Sequence, residues 1–299
     1  GHYTGGLGHV NVFASVIFAG MSGAAVADAG GLGQLELKAM RDAHFDDDFT
    51  LAVTGASSTI GPVIPPSIPA VVYAVSAGCS VGGLFIAGII PGLLMAFSMC
   101  VIVYIWARIK NYEKDPKASW KERLLSFKRA FLSLLTPVII IGGIWSGKFT
   151  PTEAAIVASI YAAILSFGIY RTLHLSDLKQ LLLNTAEQTI VSLCIIASSA
   201  VFGWVLTYER IPQIASRWFL SLSDEPFVIM LMMIVVLLIV GCFMETIAAI
   251  TIMTPVLLPI AEQVGYSDVH LGVVMILTLM IGLITPPVGL VTYTLSNIS

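Results

Sequence analysis

At 299 residues, 57% hydrophobic and only 11% charged, the chain is too apolar for a soluble domain, in which about a quarter of residues are charged. Its 15 Lys+Arg against 18 Asp+Glu leave a net charge of −3 and no basic face, which excludes a nucleic-acid binder and a disordered chain. The apolar residues run in continuous blocks of roughly 20 rather than alternating, which argues against an outer-membrane barrel and for a polytopic α-helical membrane protein.

Residues 1–83 read as a first core. Stretch 9–31 is apolar but broken at Met21-Ser22-Gly23, with Asp28 beyond the break. It suits a re-entrant hairpin of two short helices, whose non-helical tip is tolerated only where protein or a wet cavity satisfies it. Segment 49–78 is interrupted at Gly61 and Pro65-Pro66. Two prolines in a row remove two donors and should unwind the helix rather than kink it.

A simple crossing follows at 84–107, then a connector, 108–129, carrying eight Lys/Arg, which stays cytoplasmic by the positive-inside rule. Residues 130–226 read as scaffold helices, with crossings near 131–147, 151–170 and 186–206 and an outside loop at 207–225. Thr150-Pro151 with Glu153 spells a capping box, so Glu153 reads as a cap rather than an ion ligand.

A second core spans 227–299. Stretch 227–261 is too long for one untilted span, carries Glu245-Thr246, Pro255 and Pro259, and suits a second hairpin. Segment 270–299 is broken at Gly282 and Pro286-Pro287. The four cysteines lie far apart in or beside apolar stretches and read as small buried side chains. With Gly1 at one end and an apolar segment at the other, the chain reads as a fragment of a longer one.

An offset of 221 residues carries Pro65, Pro66, Gly61 and Ile60 onto Pro286, Pro287, Gly282 and Ile281 without a gap. The same offset relates Gly20 to Gly241 and Val53 to Val274. Counting crossings from the cytoplasmic connector makes the two units inverted, provided that 227–261 is a hairpin. Inverted repeats with discontinuous helices are the sequence signature of a secondary transporter.

Unwound backbone offers carbonyls that, with Ser, Thr or Asp oxygens, suit a hard cation such as Na⁺, and half-helix N-termini suit an anion. Asp28 reads either as such a ligand or as an interfacial residue near a helix end. Glu245 sits deeper, where a bare carboxylate costs about 2.5–3.5 kcal/mol, and reads as functional. No Lys or Arg lies in an apolar segment near the breaks.

At these residues the sequence resembles the large membrane subunit of tripartite ATP-independent periplasmic (TRAP) transporters. The likeness is carried by Phe18-Ala19-Gly20-Met21-Ser22-Gly23 with Ala27-Asp28, by Ala56-Ser57-Ser58-Thr59-Ile60-Gly61-Pro62 with Ile64-Pro65-Pro66-Ser67, and by Gly282-Leu283-Ile284-Thr285-Pro286-Pro287-Val288-Gly289. Ala87-Gly88-Ile89-Ile90-Pro91-Gly92 and Thr150-Pro151-Thr152-Glu153-Ala154-Ala155 add to it. His44-Phe45 departs from the usual Gly-Tyr.

The resemblance implies an elevator-type fold, similar to the ion transporter superfamily, in the bacterial inner membrane. It implies Na⁺-driven import of a small carboxylate, such as a C4-dicarboxylate or a sialic acid. A periplasmic binding protein would deliver the substrate and a small membrane subunit would brace the large one; the coupling ion is Na⁺, with no organic cofactor. One Na⁺ site would lie at Ser22, Gly23, Asp28, Gly61, Pro65 and Pro66, and the other at Glu245, Thr246, Gly282, Thr285, Pro286 and Pro287. Ser57, Ser58, Thr59, Ser67 and Thr285 would face the substrate.

Two rival readings stand beside it. One is a stand-alone Na⁺/dicarboxylate carrier that needs no binding protein. The other is an intramembrane serine protease with Ser22 of Gly20-Met21-Ser22-Gly23 as nucleophile, although no histidine lies deep in an apolar segment to serve as its base.

The topology is checked by single-cysteine labelling of intact cells from a Cys-free background. Ala118→Cys, in the basic connector, should resist a membrane-impermeant reagent, and ready modification would refute a cytoplasmic connector.

Overall fold

The computed structural model describes residues 2–112, 117 and 119–299, with side chains 19–21 left aside. Lys114 of the basic connector and Ala118, the labelling position, lie outside the described residues. Among the described residues every element is helical. The first unit comprises α1 (Gly6–Ser22), α2 (Ala25–Asp42), α3 (Asp47–Ser58) and α4 (Ile68–Ala77). Then come α5 (Val81–Ile109), α6 (Trp120–Trp145), α7 (Pro151–Ala163, prolonged by a π-helical turn to Ile169), α8 (Leu178–Tyr208) and α9 (Ile211–Leu222). The last four are α10 (Pro226–Phe243), α11 (Thr246–Gln263), α12 (Asp268–Leu283) and α13 (Leu290–Ile298). By length and composition α5, α6, α7 with its π turn, α8, α10 and α11 can each cross a membrane.

Several boundaries differ from the sequence expectation. The first hairpin runs over 6–42 rather than 9–31, because α2 continues as an amphipathic helix that buries Leu37 and Met40 while Lys38 faces out. The basic connector ends at Ser119 rather than 129: the Ser119–Glu122 capping box starts α6 there, so Lys121 to Arg129 are helical. In the second hairpin, 226–263, each arm has 18 residues, about 27 Å of helix, and is not short. Pro255 and Pro259 sit inside α11 without ending it. Glu153 caps α7, its carboxylate accepting from the Thr150 N–H at 2.7 Å.

Contacts along α5 fix the directions of these elements. Gly5, at the foot of α1, lies against Val103 and Ala107 near the end of α5. Asp46, between α2 and α3, meets Lys110 at 3.0 Å and the Tyr112 hydroxyl at 2.9 Å. These hydrogen bonds, the Lys110 one foremost, hold the Asp46 carboxyl below the usual carboxylate range. Both feet of the first hairpin therefore sit at one end of α5. At the other end, Tyr73 of α4 donates to the carbonyl of Asp268 at 2.7 Å, where α12 begins. The chain then returns, and the Ser299 carbonyl accepts from Arg41 at 3.1 Å. The broken helices α3–α4 and α12–α13 thus run in opposite directions.

The two units interlock. Helix α4 packs on α11 and α12, and α13 packs on α2 and α3. Tyr73, fully buried, lies on Gly272, where a Cβ would stand 2.5 Å from its ring. One apolar core runs through both units, and a smaller one joins α1, α2, α3 and α5. Outside it, α6 buries no residue and α8 only Ser199 and Gly203, leaving side chains such as Val138 and Ile190 exposed for an apolar surrounding.

His44 ends α2 in the left-handed region, with φ of 58°. The Phe45 N–H reaches back to the Met40 carbonyl at 3.0 Å, closing the turn over the buried Met40 and Phe45. This is a helix stop that favours glycine. His44→Gly should therefore stabilise the protein by about 1 kcal/mol, read as a higher midpoint in thermal unfolding of the purified protein.

Candidate functional site

Each hairpin tip lies against a broken helix. Gly23 takes φ of 60° between α1 and α2, and its carbonyl accepts from the Ile68 N–H at 3.3 Å. A Cβ at Gly23 would stand 2.8 Å from the Pro66 carbonyl oxygen, so this tip has room for glycine alone. In the second unit the Cys242 carbonyl accepts from the Val288 N–H at 3.3 Å. Beside it the backbones of Gly241 and Gly282 touch; a Cβ on Gly282 would lie 2.6 Å from the Gly241 carbonyl carbon. The breaks themselves, residues 59–67 and 284–289, are non-helical, each centred on its proline pair.

Between the two tips lies a cavity of about 720 Å³. Ser22 and residues 24–27 line it from the first tip, Glu245 and Thr246 from the second, Pro62 and Leu283 from the breaks. Gln188 and Ser192 of α8 close another side. The two second arms present unlike ends to this space. Glu245 caps its own helix, its carboxylate accepting from the N–H groups of Ile247 at 2.7 Å and Ala248 at 3.2 Å. Helix α2 starts at Ala24 with no side-chain cap. By helix geometry the N–H groups of Ala25, Val26 and Ala27 have no intrahelical partner, and they form a small field of positive dipole ends facing the cavity. The hydroxyls of Ser22 and Thr246, both cavity-lining, have no hydrogen-bond partner.

The residues singled out in the sequence divide into three groups. Ser22, Glu245 and Thr246 reach the cavity, and Gly23, Pro66 and Ser67 border a second one of about 430 Å³ facing α6 and α7. Asp28 is buried in the first turn of α2, both carboxylate oxygens unpartnered. The other hydroxyls donate within the protein: Ser57 to Asn11 at 2.7 Å, and Ser58 and Thr59 to the carbonyls three residues earlier. Ser67 caps α4 and bonds the Pro62 carbonyl, and Thr285 donates to the Ile281 carbonyl at 2.7 Å. Gly61 and Pro65 are buried within the first break, and Gly282 against Gly241, whereas Pro286 and Pro287 are exposed. Gln188 and Ser192 were not read from the sequence, where Asn184, Thr185, Glu187 and Thr189 make the same stretch of α8 polar and single neither of them out.

Ser22 has no hydrogen-bond partner, so no histidine reaches it in this structure. Helices broken in pairs around a shared cavity, in a chain of membrane-crossing helices, define a membrane transport protein. A family model for the tripartite ATP-independent periplasmic transporter, DctM component, matches residues 1–299. The chain is 50% identical over 298 residues to a sialic acid TRAP transporter large permease of Vibrio cholerae, covering all of this chain and 70% of that protein. It is 42% identical over 299 residues to a C4-dicarboxylate TRAP transporter large permease of Pseudomonas aeruginosa, again with 70% of the relative covered. A sialic acid TRAP permease of Haemophilus influenzae is 42% identical, and this chain spans 48% of it. The chain belongs to the large-permease, or DctM, family of TRAP transporters, multi-pass proteins of the inner membrane.

The first break leans on α5 through glycine. A Cβ on Gly88 would stand 2.5 Å from the Val63 carbonyl oxygen, whereas one on Gly82 would meet only the Ser80 hydroxyl at 3.8 Å. Gly88→Ala should cost about 1–3 kcal/mol of stability and reduce transport, with Gly82→Ala as the neutral control; thermal unfolding and uptake of the two variants check this.

Proposed function

We propose that this chain is the translocating subunit of a Na⁺-coupled importer of a small organic anion. The observation that carries the reading is the unlike pair of helix ends at the cavity. The α11 end is already occupied by the Glu245 carboxylate, and the α2 end is open. A substrate carboxylate bound at Ala25–Ala27 would make the same contacts that Glu245 makes with α11, supported by the free hydroxyls of Ser22 and Thr246. No Lys or Arg is needed: a helix N-terminus supplies about 0.3–2 kcal/mol of charge interaction besides its hydrogen bonds.

Sodium fits beside this anion. The oxygens of Ser22 and Asp28 near the first tip, and of Glu245 and Thr246 at the second, are hard donors, and all but Glu245 lack protein partners. One ion per tip gives two per cycle, so import of a monovalent anion carries net positive charge inward and draws on the membrane potential, about 2.3 kcal/mol per charge per 100 mV. The names of relatives favour sialic acids and C4-dicarboxylates as substrates. Like them, this chain would work with a periplasmic binding protein and a small membrane subunit, in an elevator motion that carries tips and breaks together.

Uptake of labelled sialic acid and succinate into liposomes holding the complete transporter tests the reading, with and without binding protein. Uptake should need an inward Na⁺ gradient; equal rates with K⁺ on both sides would sink ion coupling, and equal rates without binding protein would favour a stand-alone carrier. Val26→Pro removes one N–H at a helix position that tolerates proline and should raise the KM for the anion about tenfold with the protein still folded.

A further inference from the structure

The first unit buries two carboxylates and an amide, whereas the buried polar residues of the second, Thr246, Thr254 and Thr278, are hydroxyls alone. At the junction of α1, α2 and α3 the buried residues include Asn11, Asp28, Glu36, Thr50 and Thr54, each at least nine-tenths buried. The 221-residue offset that carries the bounds of α2 onto those of α11 places Met232, Ala249, Leu257, Leu271 and Met275 at the matching positions. Apolar side chains satisfy the fold there, with Ala249, Leu257, Leu271 and Met275 buried. The polar set in the first unit is therefore not a packing requirement, and burying it without partners is costly.

Glu36 is the residue of that set with least explanation. Gly33, Glu36 and Met40 share one face of α2. A Cβ on Gly33 would lie 3.1 Å from the Thr54 methyl, and Asn11 bonds both the Thr54 hydroxyl, at 2.8 Å, and the Met40 sulfur, at 3.8 Å. Glu36 thus projects toward α3, where Thr50 sits one turn before Thr54. Glu36 Oε1 and Thr50 Oγ1 are both buried and both without a partner. Among the described residues no Lys, Arg or His pairs with Glu36 or Asp28. A carboxylate buried in an apolar unit is costly as a bare anion and calls for a neutralising partner, and the oxygens gathered around Glu36 suit a bound cation.

We propose that Glu36, Thr50 and the Asn11–Thr54 pair form a cation site inside the first unit, separate from the hairpin tip and occupied by Na⁺. Its ligands are the Glu36 carboxylate, the Thr50 hydroxyl and the oxygens of the Asn11–Thr54 pair, with water completing the shell. The ion neutralises the α1–α2–α3 core and locks the hairpin to the broken helix before substrate arrives. The choice of Na⁺ rests on the coupling proposed above; the vacancy of partners around Glu36 does not.

The test is equilibrium binding of ²²Na⁺ to the purified complete transporter, counted at saturation, for the parent, Glu36→Leu, Glu36→Gln and Thr50→Val. The parent should bind one Na⁺ more than the two assigned to the tips. Both Glu36 variants should lose that one ion, and Thr50→Val should weaken it about tenfold. Glu36→Leu, which installs the residue of the second unit, should also unfold at a higher temperature than the parent in K⁺ buffer. A parent count of two or fewer overturns the site, and so does an unchanged count in either Glu36 variant, while binding at the tips then stands. A parent that binds no Na⁺ overturns this site and the coupling together.

Discussion

Main-chain groups freed by a break in a helix need partners when no water is at hand, and in this protein the hairpin tips supply them. The Gly23 carbonyl takes the Ile68 N–H, and the Cys242 carbonyl takes that of Val288. Everything else about the centre follows from that exchange. It requires two backbones to approach within contact distance, hence glycine at 23, 241 and 282. It sets each tip beside an unwound segment, and so gathers hydroxyls, carbonyls and helix ends around one cavity. A transporter needs such a place, where polar groups are abundant and yet shielded.

Within that frame the two halves have diverged in what they leave unsatisfied. In the second unit Glu245 caps α11 and an apolar core fills the space behind it, with the Thr246 hydroxyl left without a partner. The first unit leaves the start of α2 uncapped and keeps Asp28, Glu36 and Thr50 buried without partners. The same architecture serves one half as a rigid frame and the other as a receptor for charge.

The breaks were legible in the sequence because their causes are local. Paired prolines forbid a helix whatever surrounds them, and the offset between Pro65-Pro66 and Pro286-Pro287 needs no structure to be seen. Element ends were less legible. Residues 32–42, left outside the hairpin in the sequence reading, continue α2 and bury Gly33, Glu36, Leu37 and Met40. The targets of hydroxyls could not be read at all. The hydroxyls of Ser58, Thr59 and Thr285 donate to the carbonyl three or four residues back, as short side chains in helices do. Backbone donors at Ala25–Ala27 and the pair Gln188–Ser192 were missed for the converse reason, since their role depends on which helix faces the cavity.

The crossing of α4 into the second unit and of α13 into the first has a consequence for how the protein is made. Tyr73 meets its partner 195 residues later in the chain, and Arg41 meets Ser299 after 258. At ribosomal speeds of about 5–20 residues per second, the first hairpin waits roughly 13–50 s for the helix that covers it. During that interval the faces of α2 and α3 that α13 covers, with Gly33 and Gly55 against Leu295, are bare. The first half is therefore a client of the insertion machinery until the second half has been synthesised, and neither half can be a finished object alone.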